Sequence, residues 1–323
     1  MVEYSKRNIR TWSMLGSRRL LGTVLEELAS TDEKFIFITA DVGRYYAINR
    51  YIEKYPNRII NVGIAEQNMI GVAAGLAKEG FHPMVATYAT FATSRVLDQI
   101  RVNMGLMKLG IVVLGVSAGL VEGDMSATHM GLEDIADIMA IPNIDVISPA
   151  DCTESVKAMI DASRSGRPTY VRLTGGFNEP IVYRDNYDFN IGKSIILKEG
   201  RDVIIAATGT MVSKALRVAD MLSELGIMAT VVDVNTIRPM DSSFISLIKN
   251  YKFLVSLEEH SVYGGLGSVI DYAMAKFDKK PKHLLIGTDK YVDAMQYDDL
   301  LNAYGMQPEQ IKESIIKFIN SED

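Results

Sequence analysis

Along the whole chain, short runs of β-branched and aromatic residues alternate with longer stretches of helical spacing. In the first half the strand-like runs are FIFIT (35–39), HPMVAT (82–87), GIVVLGV (110–116), IDVIS (144–148) and PTYVRL (168–173). Helical patterns fill 17–29, 66–79, 91–107, 131–140 and 151–163. Such alternation predicts βαβ units and a mostly parallel sheet. At 175–195 the period lapses into a stretch rich in Gly, Asn, Asp and aromatic residues, which predicts a linker. A second series follows, with strands SIILK (194–198), DVIIAAT (202–208), MATVVDV (228–234), KFLVSLE (252–258) and KHLLIG (282–287). Its helices are 210–225, 241–249, 265–277 and 308–320. The expected fold class is α/β: two doubly wound, mostly parallel-sheet domains, 1–180 and 194–323, joined by a linker at 181–193.

One helical stretch is unusual. In NVGIAEQNMIGVAAGLAKEG (61–80) no charged side chain occurs from Met69 to Ala77, which predicts a helix buried on all sides. Gly71 and Gly75, one turn apart, would let that face approach other backbone closely. Glu66 stands at the opening of this apolar run. Burying a carboxylate costs several kcal/mol unless it is paired or protonated. Two readings stay open: it caps free N–H groups at the helix start, or it is a desolvated carboxyl that shares a proton with a ligand nitrogen.

Other candidates sit at predicted strand ends, where doubly wound sheets bind ligands. SAGLVEGDMSATHMGLED (117–134) carries Glu122, Asp124 and His129, and His suits proton transfer near neutral pH. TADVGR (39–44) carries Asp41 and Arg44, which either face the same crevice or form a helix cap and a surface charge. Tyr88 and Phe91, three apart, are core packing or a ring-stacking platform. Arg95, Asp98 and Arg101 fall on another face, solvated or at an interface. The Gly-rich turn in EEHSVYGGLGSVI (258–270) is not G-x-G-x-x-G, and tight strand-to-helix packing accounts for its glycines better than a phosphate cradle.

Composition removes several function classes. The net charge is −6 with no long basic run, so nucleic acid is not expected. The lone Cys152 excludes a disulfide framework and a multi-cysteine metal site, and fits a reducing cytosol. The four histidines (82, 129, 260 and 283) form no local metal motif, so no metal site built by this chain alone is expected. The first 15 residues lack a secretory h-region, and Gly and Pro interrupt the uncharged stretches. The expectation is a cytoplasmic protein that does not span a membrane.

Taken together, GIAEQNMIGVAAGLAKEGFHPMVATYATFATSRVLDQIR (63–101) resembles the pyrimidine-binding domain of the transketolase family of thiamine-diphosphate enzymes. VVDVNTIRPMD (231–241) and EEHSVYGGLGS (258–268) resemble that family's C-terminal domain. The resemblance runs in order from about Ser17 to Phe318. It implies that Glu66 hydrogen-bonds N1′ of the cofactor's aminopyrimidine, whose amino nitrogen then takes the thiazolium C2 proton. It implies further that Tyr88 and Phe91 pack on that ring, Asp41 lies near the cofactor, His129 handles substrate protons, and Arg18 binds a substrate phosphate. Arg44, Asp124 and Arg172 are weaker substrate-end candidates.

The family's diphosphate-binding domain, with its G-D-G sequence and metal-holding Asn, has no counterpart; the chain has only GDM (123–125). The resemblance therefore implies half of a split transketolase. A partner subunit would hold thiamine diphosphate and Mg²⁺ from its side, in a heterotetramer of two chains of each kind. Several substrate-end positions depart from the family. Ser117 stands where many members have His, and TGG (174–176) where many have Arg. Met125 occupies the usual Asp position, and Ser94 lies at or near a third aromatic. These losses predict an altered sugar: a differently placed phosphate, an unphosphorylated sugar, or a nucleotide-linked one. The expected reaction is transfer of a two-carbon ketol unit to an aldehyde or ketone. The alternatives are a 1-deoxyxylulose-5-phosphate synthase-like ligase subunit, which AGLVEGD suggests, and a non-catalytic subunit retaining the fold. A keto-acid dehydrogenase β subunit fits less well around Glu66.

Overall fold

The computed structural model describes residues 2–174 and 176–321, apart from the side chain of Arg44. In chain order the strands are β1 (Phe35–Thr39), β2 (Ile59–Asn61), β3 (His82–Tyr88), β4 (Val112–Val116), β5 (Asp145–Ile147) and β6 (Thr169–Arg172). Then come β7 (Ile195–Lys198), β8 (Val203–Ala207), β9 (Ala229–Asp233), β10 (Thr236–Arg238), β11 (Phe253–Ser261) and β12 (Lys282–Thr288). Among the described residues they form two sheets, ordered β10-β5-β6-β4-β3-β1-β2 and β12-β11-β8-β9-β7. Only the β10–β5 and β7–β9 pairings are antiparallel. The central strands are buried on both faces, as their unbroken apolar runs require.

All ten predicted strands form, within two or three residues at each end. Sequence reading missed β2, β10 and the helices Lys6–Leu15, Asn49–Lys54 and Tyr297–Ala303, whose apolar stripes are short. Its helix at 91–107 is broken. Thr93, at φ −125° and ψ −81°, separates the turn Ala89–Ala92 from Ser94–Val96. Its hydroxyl donates back to the Ala89 carbonyl (2.9 Å), a local bond that competes with helical pairing.

The helix Glu66–Lys78 also differs from expectation. It buries Met69, Ile70, Ala73 and Ala74 but exposes Gln67, Asn68, Gly71 and Gly75. Nothing lies within 4 Å of where a Cβ would sit on either glycine. The uncharged run is thus apolar on one face and open on the other, and within this chain its glycines meet no other backbone.

The two sheets are tightly joined. β10 comes from the second series yet pairs on the edge of the first sheet. Arg238 donates to the carbonyls of Ile144 (2.5 Å), Met139 (3.0 Å) and Ile138 (3.0 Å). Fully buried Arg172, on β6, pairs with Asp134 (2.9 Å) and donates to the carbonyls of Gly131 (3.1 Å) and of Glu259 on β11 (2.7 Å). The glycine turn before the helix Leu266–Met274 is filled from within. Glu258 accepts the N–H groups of Leu266 (2.6 Å) and Gly267 (2.9 Å), which leaves no room for an outside anion.

Candidate functional site

Four neighbouring strands, β4-β3-β1-β2, deliver their carboxyl ends to one edge of the first sheet. β2 leads to Glu66, β3 ends at Tyr88, β4 leads to Ser117 and the loop bearing His129, and β1 leads to Asp41. Parallel strands with right-handed crossovers place their C-terminal loops side by side, so residues distant in sequence share this edge.

Three rings form the centre. Tyr88 and Phe91 lie 5.8 Å apart between centroids, and the His129 imidazole packs edge-on to both, at 5.5 and 5.2 Å. The break at Thr93 turns Arg95 back over Phe91, with its guanidinium carbon 3.7 Å from the ring centroid. The same guanidinium donates to Glu66 Oε1 at 2.9 Å. Glu66 is only 5% exposed. Its second oxygen, Oε2, accepts no hydrogen bond from the described residues.

The Thr128 hydroxyl lies 2.9 Å from the Met125 carbonyl and 3.0 Å from His129 Nδ1. When its proton goes to the carbonyl, Nδ1–H is the donor to Thr128 and Nε2 is left as the acceptor. Tyr88 stays a phenol at neutral pH. Burial raises its pKa most, the Glu122 charge adds to that, and Arg18 opposes it.

Beside the rings lies a second polar group. Arg18 Nη1 donates to Glu122 Oε1 (2.8 Å) and to Ser117 Oγ (3.1 Å). The buried Tyr46 hydroxyl and Arg18 Nε find no hydrogen-bond partner among the described residues. Three residues of this edge hold positive φ without being glycine: Asp41 (62°), Ser117 (53°) and Ser126 (60°). Backbone strain of this kind gathers at functional sites.

The structure brings together Glu66, Tyr88, Phe91 and His129, with Arg18 adjoining through Tyr88. Asp41 stands to one side. It exchanges two hydrogen bonds with Asn61 (3.0 and 3.1 Å) at the rim of a cavity of about 690 Å³. Asp124 is exposed on the 123–128 turn and makes no contact with this cluster. The Arg44 side chain lies outside the described residues. Arg172 spends its donors on the joint between the sheets and does not reach the site.

Sequence reasoning missed Arg95, Tyr46 and Asn61 as site members, marked Ser117 only as the place of an absent histidine, and passed over the pairing of Glu122. Arg95 sits four residues after Phe91, and a signal was available in that spacing. Only the helix break decides that it turns inward rather than joining Asp98 and Arg101, which pair with each other in solvent (2.6 Å).

Residues 13–176 match the transketolase pyrimidine-binding domain, and 192–311 the transketolase C-terminal domain. The chain is 35% identical over 95% of its length to a protein of Methanocaldococcus jannaschii described as a transketolase C-terminal section, covering 97% of that relative. It is 33% identical to a 6-deoxy-6-sulfo-D-fructose transketolase subunit from a Clostridium species, with 89% of each chain covered. It is 32% identical to a 1-deoxy-D-xylulose-5-phosphate synthase from a Synechococcus species, with 93% of this chain matched but only 47% of that relative spanned. Among solved structures, a split-gene transketolase in an inactive beta4 tetramer superposes with a TM-score of 0.84 at 32% identity, covering 94% of this chain and 97% of that one.

Proposed function

The chain belongs to the transketolase family, and from that premise we propose that it is the pyrimidine-binding half of a split thiamine-diphosphate enzyme that transfers a two-carbon ketol unit. The observation that carries this reading is Glu66: a buried carboxyl with one oxygen uncommitted, joined through Arg95 to the Phe91 ring that packs against Tyr88. A flat heteroaromatic ring with a basic nitrogen fits that seat. The rings offer stacking faces, and Glu66 Oε2 offers the hydrogen-bond partner.

When bound, thiamine diphosphate supplies an acidic C–H and an electron sink for the transferred carbons. This chain's residues do the rest on their side. Tyr88 and Phe91 orient the ring and exclude water. Glu66 holds a proton against the ring nitrogen. His129 Nε2 accepts a proton from a substrate hydroxyl and returns it. Asp41 is assigned as a cofactor contact and Arg18 as a substrate contact, and Arg44 and Asp124 remain candidate substrate contacts on the strength of the family resemblance alone.

Magnesium and the diphosphate fall to an N-terminal partner subunit in an α2β2 assembly. Among the described residues, no group of three or more His, Cys, Asp or Glu is placed to hold a metal ion. The open face of the helix Glu66–Lys78, next to the 80%-exposed Ile64, suits coverage by that partner. A related split-gene chain assembled with itself alone is inactive. No helix among the described residues is long and apolar enough to cross a membrane, and the lone buried Cys152 suits the cytoplasm. The 6-deoxy-6-sulfo-D-fructose transketolase subunit supports a non-standard sugar here too.

The test uses the chain co-purified with its N-terminal subunit, thiamine diphosphate and magnesium. Glu66→Gln and Glu66→Ala are expected to slow deuterium exchange at the cofactor C2, and ketol transfer with it, by about 10²–10⁴-fold. No cofactor binding, or unaltered exchange in both variants, overturns the reading. The second reading, a 1-deoxyxylulose-5-phosphate synthase-like ligase, draws on the AGLVEGD loop and the half-length match. Carbon dioxide release with pyruvate as donor separates it from ketol transfer.

A further inference from the structure

We propose that Glu122 is a specificity-determining residue, which fits the Arg18 end of the site to an uncharged, hydroxyl-bearing part of the sugar and refuses a phosphate there. This deepens the proposed transfer reaction and rests on it only for where the substrate lies.

Arg18 is the cation on the Tyr88 side of the aromatic centre, opposite Arg95 in role, and it is already taken. Its Nη1 donates to Glu122 Oε1 at 2.8 Å and to Ser117 Oγ at 3.1 Å. The Arg18 and Glu122 side chains are only 17% and 14% exposed, so the pair is sheltered from solvent screening. Phosphate recognition by Arg depends on parallel donors with no competing anion. Here an anion is built in, and an incoming phosphate would meet Glu122 as a like charge at close range. With Arg18 and Glu122 the corner is charge-neutral.

Hydroxyl groups suit this corner better. Glu122 Oε2 accepts no hydrogen bond from the described residues, whereas Arg18 Nε and the Tyr46 hydroxyl are buried donors without partners among them. A sugar hydroxyl donates one hydrogen bond and accepts others, so it can satisfy the carboxylate and a neighbouring donor together. Arg18 and Tyr88 both act electrostatically on Tyr46, which places its ring in the same neighbourhood.

A matched donor pair reads this directly. In the complex with its N-terminal subunit, thiamine diphosphate and magnesium, kcat/KM is measured for D-xylulose and D-xylulose 5-phosphate. The native chain is expected to favour the unphosphorylated sugar. Glu122→Gln is expected to move the ratio toward the phosphorylated one by about tenfold or more, since one hydrogen bond to a charged group is worth that much. A native preference for the phosphorylated sugar, or a ratio unmoved by Glu122→Gln, overturns the proposal.

Equilibrium binding of inorganic phosphate to the same complex needs no turnover. Glu122→Gln should bind it about tenfold more tightly than the native chain, and adding Arg18→Gln should remove that gain. Equal binding in all three overturns the proposal. Absence of transfer with either sugar, together with the expected phosphate result, removes D-xylulose as the donor and leaves the Glu122 assignment standing, while the transferase reading falls only on its own test at Glu66.

Discussion

Glu66 and Arg95 show how a single side chain sets the state of a site. A buried carboxylate needs a partner, and Arg95 provides one while lying flat on Phe91. An aromatic ring stacked on that same face of Phe91 would have to displace Arg95. Arg95 is 44% exposed, so water shares the pair and its worth is discounted. Arg95→Ala is expected to cost about 1–2 kcal/mol, read by urea unfolding. A cycle with Glu66→Gln should return most of that as coupling, because the neutral amide leaves no buried charge to strand. A coupling near zero would mean that the pair does not form in solution.

At the scale of elements, the linker does more than connect. Its residues Val182 and Tyr183 donate their N–H groups to Asp151 (both 2.8 Å), which caps the helix Cys152–Ser165. Beneath lies a buried acid pair. Glu154 accepts from Ala150 N–H, Tyr187 and Asn235, and Asp233 Oδ2 accepts from Tyr183 (2.6 Å). Asp233 Oδ1 has no hydrogen-bond partner among the described residues and interacts electrostatically with the Glu154 carboxyl, an arrangement that favours one proton shared by the two. Burial raises both; Asp233, beside the Glu154 charge, rises well above the carboxylate range, and Glu154 rises to about 7.

The folded state thus keeps a proton that the unfolded chain releases near pH 4. The stability this proton supports is complete below about pH 4 and is lost as pH climbs through the folded values, about 7 for Glu154. Asp233→Asn puts a permanent N–H where that proton sits. It should raise the Tm at pH 8 by about 1–2 °C for each kcal/mol recovered, and narrow the gap between pH 5 and pH 8. A gap of unchanged width would rule out the shared proton.

Across the whole molecule, the two sheets behave as one body because polar clasps cross between them. Arg172 is the central one, with Asp134, Gly131 and Glu259 on its donors. Arg172→Ala would strand the Asp134 carboxylate, which also holds Tyr170 (2.6 Å), in a fully buried site. The expected loss is about 3–5 kcal/mol, with calorimetry resolving two transitions where the native chain gives one. A single transition at the native temperature would show that β10 and Arg238 alone suffice to join the halves.

The residue pattern by itself determined the α/β class, ten of the strands and the lapse of period at 175–195, and the family resemblance nominated Glu66, Tyr88, Phe91 and His129 as site candidates. These depend on local periodicity and on motifs confined to a few dozen residues, which a chain displays without folding. Tertiary structure alone decided that Thr93 breaks its helix and swings Arg95 onto Glu66. It also decided that Glu122 neutralises Arg18 across 104 residues of chain, that Arg172 joins sheets rather than binding substrate, and that β10 crosses over. Each of these is a pairing between groups far apart in sequence. Which charge meets which depends on how strands stack side by side, and no spacing along the chain records that.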